Sequence, residues 1–250
     1  MSDYVALGEL PGSEVGSFIC WPVYGEEAAS DRLRQLVGLG VEAVALGGRH
    51  SVLERRVLGK GHVGVVLRCV WRGLEAALKA RRTDADRPSM MEEAELLRAA
   101  NAAGVGPRLY AHSRDFLVME LLEGPYFGDW ARLYEGDEEG FRGAVHELLR
   151  QVRRLDAAGL DHGELTRVRR HFIVTLGGPR IIDFESASLS RRVQNVTSTV
   201  QSMFLRGEFR QVVERWFPGL DRDALLAALK SYKGSPSDEA FRGVLSALGL

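Results

Sequence analysis

LGKGHVGVVLRCVWRGLEAALK, residues 58–79, is the stretch that decides how this chain is read. Within it Gly59, Gly61, Gly64 and Val66 fall as G-x-G-x-x-G-x-V. Glycines at this spacing let a tight turn press backbone N–H groups against a polyphosphate, where a side chain would block the approach. A dinucleotide-binding turn runs strand, glycines, helix, with an acid about 20 residues later. Here the glycines are flanked by SVLERRVL (51–58) and VGVVLRCVW (63–71), both strand-like, and GLEAALKA (73–80) is a third strand after an Arg72-Gly73 hairpin turn. The turn therefore joins two strands.

Upstream, residues 28–39 carry Leu33, Leu36 and Val37 at helical spacing, and VEAVAL (41–46) alternates as a strand does. Downstream, Ser89 and Glu92 fit a Ser-x-x-Glu capping box that opens a helix running to about Asn101. Three glutamates lie in that helix. The capping box occupies Glu92, and Glu95 sits over Arg98 and Ala99 on a mainly polar face. Glu93 shares its face with Met90, Leu97 and Ala100, so it points to the sheet side. PRLYAHS (107–113) and DFLVMEL (115–121) read as strands, and 120–130 as a strand end turning into loop.

A long amphipathic helix over 139–158 follows, with Phe141, Val145, Leu148, Leu149, Val152 and Leu155 on one side. HGELTRVRRHFIV (162–174) then runs from a polar loop into an apolar strand. FIVTLGGPRIID (172–183) reads as a hairpin turning at Gly177-Gly178-Pro179, and the rest of the chain is helical with breaks at Pro218 and 234–236. Strands, one helix and more strands, then mostly helices around a small hairpin, make an α+β arrangement in two lobes.

Composition bounds the function. The 250 residues are 45% hydrophobic and 27% charged, as in an ordinary globular core-former, and the net charge of −1 gives no electrostatic case for bulk nucleic-acid or membrane binding. Cys20 and Cys69 are too few for a disulfide framework and lack neighbours at metal spacing. With no signal-peptide pattern and no apolar run of membrane-spanning length, a cytoplasmic, soluble chain is expected. Arginine carries most of the positive charge: Lys60, Lys79, Lys230 and Lys233 are the only lysines, which draws attention to one at the end of a strand.

Taken in order, the glycine turn between strands, AALK ending in Lys79, a helix glutamate, FLVMELLEG (116–124), HGEL and Asp183-Phe184-Glu185 resemble the protein-kinase-like superfamily over roughly residues 51–190. VGPRLYA, VMELLEG and the short HGELT loop look most like the small atypical kinases of the RIO group and the KEOPS-complex kinase, and like an archaeal group of predicted Ser/Thr kinases. The resemblance implies a two-lobed fold: an extension over 1–50 packed on the N-lobe, a β-rich N-lobe over 51–122 and a reduced helical C-lobe over 123–250. It implies ATP with Mg2+ or Mn2+, and γ-phosphate transfer to a Ser or Thr hydroxyl of a protein substrate. By this resemblance the turn of Gly59, Gly61, Gly64 and Val66 covers the phosphates, Lys79 holds the α- and β-phosphates and Glu93 orients it. Ala77 lies against the adenine, Met119 behind it, and Glu120 to Leu122 bond its edge. Asp183 holds the metal, and Glu164 handles the acceptor hydroxyl.

Three positions depart from the family pattern. Glu164 stands where an aspartate is usual, one methylene longer. Counting five residues from it reaches Arg169 rather than Asn, while alignment on FIV puts His171 at the second metal position, although magnesium prefers oxygen ligands. Glu185 replaces a glycine and would supply the missing oxygen, or else a structural ion pair to Arg191 or Arg192. Arg167, Arg169 and Arg170 beside Glu164 could engage an anionic partner, RNA-associated or phosphorylated, or simply face solvent. Two other functions stay open: an ATP-binding pseudokinase or ATPase-type assembly factor acting on ribosomes or tRNA modification, and a small-molecule kinase of the aminoglycoside/choline-kinase type. Direct DNA binding and membrane association are not expected.

Overall fold

The computed structural model describes residues 4–207 and 209–250 and divides into two units. The first comprises residues up to Arg98 together with Pro107–Leu121; the second comprises Ala99–Gly106 and Leu122–Leu250. The chain is α+β, and the named strand pairs are antiparallel. No helix among the described residues is long and apolar enough to cross a membrane.

In the first unit the elements are β1 (Val5–Ala6), α1 (Glu14–Ile19), α2 (Glu26–Leu39), β2 (Val41–Ala45), β3 (His50–Val52), β4 (Arg55–Val57), β5 (Gly59–Lys60), β6 (Gly64–Trp71), β7 (Leu74–Arg81), α3 (Met91–Ala102), β8 (Leu109–His112) and β9 (Phe116–Glu120). The seven-stranded sheet runs β1-β2-β6-β7-β9-β8, with β5 also on β6. Its long β6–β7 hairpin turns through Arg72 and Gly73, both at positive φ, the primed geometry that matches strand twist.

Period-two alternation sorts the sheet's faces. Val65 and Leu67 of β6, Ala76, Leu78 and Ala80 of β7, and Phe116 and Val118 of β9 share one core with Leu10, Phe18, Ile19 and Leu36 from the N-terminal segment. The opposite face carries Val66, Ala77, Lys79, Leu117 and Met119, and there Leu117 packs with Met90 and Ala94 around α3.

Two local expectations are corrected in this unit, the extent of SVLERRVL and the start of α3. SVLERRVL is not one strand: Leu53 and Glu54 are both left-handed and fold it into the β3–β4 hairpin. The N-terminal residues do more than pack on the sheet, because β2 pairs with β6 and extends it. They also hold α1, whose short apolar run gave no periodic signal. The capping box fails because Met90 N–H is fixed to the Arg114 carbonyl at 2.8 Å and α3 starts at Met91. Ser89 Oγ then accepts only from Met91 N, at 3.4 Å.

The second unit holds the last turn of α3, then α4 (Phe127–Leu133), α5 (Glu138–Ala157), a 3-10 turn (Leu165–Arg167), β10 (Phe172–Thr175), β11 (Gly178–Ile181), α6 (Asn195–Val200), a π-helical turn (Gln201–Leu205), α7 (Phe209–Glu214), α8 (Arg222–Gly234) and α9 (Asp238–Leu248). The fully buried stripe of α5 (Phe141, Val145, Leu148, Leu149, Val152, Leu155) forms its core. Residues 127–130, expected as loop, open the helix α4 because Phe127 is buried against Phe141, Trp130 and Phe209. The β10–β11 turn lies at Leu176-Gly177, one step before the expected one, since Gly178 and Pro179 already pair with Thr175 and Val174. Pro179 has no N–H to give the ladder, which an edge position tolerates.

Candidate functional site

In the first unit the register builds a connected patch. Val66 pairs across the ladder with Lys79, and Ala77 with Met119, so these four side chains share the face of the sheet that α3 covers in part. Lys79 Nζ donates to Glu93 Oε1 at 2.7 Å, and the two residues are only 5% and 4% exposed. Glu92 and Glu95, by contrast, are exposed. A buried ion pair is stabilising only while both charges are present, since removing either strands the other in a poor dielectric.

The glycine turn closes over this pair. Gly61 N–H donates to the Gly64 carbonyl at 2.8 Å, and Gly59 pairs with Val66. A Cβ on Gly64 would lie 3.0 Å from the Ala80 carbonyl oxygen and 3.1 Å from Cγ and Cε of Lys79, so a side chain there would press on Lys79. Gly59, Gly61, Gly64, Val66, Ala77, Lys79, Glu93 and Met119 therefore gather in one region of the unit. Of the residues expected from the sequence at an adenine edge, Glu120 spends its backbone N–H on the Arg108 carbonyl at 2.8 Å, and its side chain accepts from Arg108 N at 3.0 Å. Leu121 ends the first unit and Leu122 begins the continuation of the second.

The second unit builds its patch around His162-Gly163-Glu164. His162 is fully buried, and burial first, then the neighbouring His171, pushes its pKa down to about 4. Its Nε2 donates to the Ile182 carbonyl at 3.0 Å, which leaves Nδ1 to accept the Glu164 N–H at 3.4 Å. The hydrogen-bond pattern thus assigns the neutral tautomer with the proton on Nε2. The imidazole also packs on Phe184, with centroids 5.1 Å apart.

Glu164 is held from two sides. Ser186 Oγ donates to its Oε1 at 2.7 Å, and His171 Nε2 lies 3.1 Å from its Oε2. Arg167 Nη1 stands farther off, at 3.9 Å. Burial lowers the His171 pKa, opposed by the charges of Asp183 and Glu164, so the neutral ring donates from Nε2. That bond leaves Nδ1, buried and without a hydrogen-bond partner among the described residues, as the ring atom that could serve the second metal position expected from the alignment on FIV. Among the described residues, no three His, Cys, Asp or Glu side chains form a group able to hold a metal ion. Asp183 is exposed at φ +68°, a left-handed conformation uncommon outside glycine, and Glu185 is half-buried in the turn after Phe184.

The expected arginine partners of Glu185 are placed otherwise. Arg191 Nε donates to Asp161 Oδ2 at 2.6 Å and its Nη2 to the Ser186 carbonyl at 2.7 Å; Arg192 donates to the Lys233 carbonyl. Asp161 and Ser188 exchange backbone bonds of 2.9 and 2.8 Å. Gly163, at φ +87°, completes the junction: a Cβ there would come 2.5 Å from the Ser186 carbonyl oxygen.

Sequence reading missed the support beneath this loop. Asn195 Oδ1 accepts His162 N–H at 2.8 Å, while its Nδ2 donates to Asp156 Oδ1 at 2.8 Å and the Leu160 carbonyl at 2.7 Å. Asp156 also accepts from Asn195 N, Val196 N and the Tyr232 hydroxyl. Burial raises the Asp156 pKa, against the opposing pull of these hydrogen bonds. The available signal was a helix-end aspartate on the apolar side of α5, three residues after Arg153. No protein-family model matches the chain, and no curated protein matches it.

Proposed function

We propose that this chain is an ATP-dependent phosphotransferase of the protein-kinase-like kind, an atypical serine/threonine kinase of two lobes with a reduced helical C-lobe. The observation that carries the reading is the buried 2.7 Å Lys79–Glu93 pair beneath a glycine turn that a Cβ at Gly64 would fill. A fixed ammonium beside glycine backbone suits the oxygens of a nucleoside triphosphate. Lys79 would hold the α- and β-phosphates, with Glu93 fixing the ammonium. Val66, Ala77 and Met119 supply the apolar face for a purine. Asp183 would hold the magnesium ion that accompanies the nucleotide, with Glu185 or His171 for its second protein ligand, and the ion would supply charge neutralisation at the phosphates. Glu164 would accept or orient the proton of a protein hydroxyl.

Isothermal calorimetry with ATP and Mg2+, together with γ-phosphate transfer to a generic protein acceptor, tests this. Lys79→Met should weaken nucleotide binding, and Asp183→Ala should abolish transfer while the protein stays folded. Binding and transfer unchanged in both variants would end the assignment. A second reading, nucleotide binding without efficient transfer, draws support from the double engagement of Glu164 by Ser186 and His171. Tight ATP binding without turnover would favour it.

A further inference from the structure

Glu164, the residue assigned to the acceptor hydroxyl, already has a serine hydroxyl on it. Ser186 Oγ lies 2.7 Å from Glu164 Oε1 as the donor, the hydrogen bond that a general base makes to a hydroxyl it is about to deprotonate. Ser186 is part-buried and held on both sides. Its carbonyl accepts from Arg191 Nη2, and the bridge between Asp161 and Ser188 fixes the segment two residues on. Gly163 removes the one Cβ that would push Ser186 away from the loop. Its neighbours are differently engaged: Ser188 Oγ faces Ser190 Oγ at 3.1 Å and accepts from the backbone of Ser190 and Arg191. One hydroxyl of this segment is therefore set on the carboxylate by the fold.

We propose that Ser186 is a phosphate acceptor within the chain, modified by the chain's own transfer reaction. This rests on the phosphotransferase reading above. In the step, Ser186 Oγ forms a bond to the γ-phosphorus of a nucleoside triphosphate. The bond from that phosphorus to the β,γ-bridging oxygen breaks, the nucleoside diphosphate leaves, and the hydroxyl proton passes to Glu164 Oε1. The product places a phosphate dianion where a neutral donor stood, and like charge drives it off Glu164 while Arg191 offers a cation on the same segment. Phosphorylation at Ser186 would thus free Oε1 of Glu164 while His171 still holds Oε2.

Two measurements test the proposal on the full chain. In the nucleotide-free protein, Ser186→Ala should shift the Glu164 side-chain carboxyl carbon resonance; an unchanged resonance would mean that the hydroxyl does not sit on Glu164 and would overturn the proposal. After incubation with ATP and Mg2+, peptide mass spectrometry should place phosphate on Ser186, with a first-order rate independent of protein concentration. Ser186→Ala should lose that label and Ser186→Thr should keep it. Nucleotide bound and turned over with Ser186 unmodified, or a rate rising with protein concentration, sinks this proposal alone. No nucleotide binding at all would sink the phosphotransferase reading with it.

Discussion

Replacing Asp115 with alanine should destabilise the sheet of the first unit by about 3 kcal/mol, the low end of the cost of breaking a buried ion pair. Asp115 is fully buried, and its carboxylate accepts from Arg32 Nη2 at 3.2 Å, Arg81 Nε at 2.7 Å and Gln35 Nε2 at 2.7 Å. Arg114 adds bonds of 3.1 and 3.0 Å. Arg81 and Arg114 retain side-chain exposures of 15% and 60%, so water can take over their charges. Arg32, at 2% exposure, cannot reach water and would keep the Ile19 carbonyl and the face of Phe116 but no anion. That single stranded cation sets the estimate. Native-state hydrogen exchange of the β7 and β9 amides is the assay, and about 3 kcal/mol corresponds to exchange about 100-fold faster. The double variant Arg32→Met with Asp115→Leu should recover most of the loss, because neither buried charge remains. Wild-type exchange rates in Asp115→Ala, or a double variant as unstable as the single one, would show that a stranded Arg32 charge does not set the cost. Burial works against ionising Asp115, but the Gln35 hydrogen bond and the Arg32 charge outweigh it, holding the folded pKa below the usual 3.8. A depressed folded pKa means stabilisation that is complete above 3.8 and lost as pH falls through the folded value. The wild type and Asp115→Ala should therefore differ equally at about pH 7 and about pH 5, and converge only in stronger acid.

Gly64→Val should cost about 1–3 kcal/mol through overpacking against Ala80 and Lys79, and should displace the ammonium from Glu93; the melting temperature and the nitrogen resonance of Lys79 would report both effects. Asp156→Asn is isosteric, yet each group bonded to Asp156 is a donor, so an amide NH2 there must face an N–H. A loss of about 1–3 kcal/mol in urea unfolding is expected, together with a shift in the His162 amide resonance. Gly163→Ala forces a Cβ into the Ser186 carbonyl at positive φ; the backbone term alone is worth about 1–2 kcal/mol, seen as a lower urea midpoint.

Legibility in the sequence followed the range of the interaction. Alternation along 63–80 and 115–121 laid out β6, β7 and β9, and helical spacing put Glu93 on the sheet side of α3, where it meets Lys79. These are local periodicities with an apolar face as their readout. Boundaries set by distant partners were not readable: the Arg114 carbonyl moves the start of α3 past Ser89, and burial of Phe127 makes a helix of a segment rich in turn formers. The polar support was hidden for the same reason. Asp156, Asn195 and Tyr232 are spread over 76 residues of chain, and each alone looks like an ordinary helix residue.

The longer side chain at position 164 raises a question of order that the local geometry answers. Glutamate loses up to about 2 kcal/mol of rotamer freedom when fixed, more than a shorter carboxylate would. A hydrogen bond to a charged group returns about 1.5–3 kcal/mol, so either anchor alone offsets the cost. Glu164 has two, Ser186 on Oε1 and His171 on Oε2. His171 is itself buried, and its carbonyl is bonded to Ile182 N–H at 3.0 Å, so that anchor does not depend on Ser186. The loop backbone rests on a third set of bonds, from Asn195 and from the Asp161–Ser188 bridge. Losing the Ser186 hydroxyl therefore leaves Glu164 tethered and the loop supported. The extra methylene is accommodated by cross-bracing from His171 Nε2, which leaves the Nδ1 of that ring uncommitted.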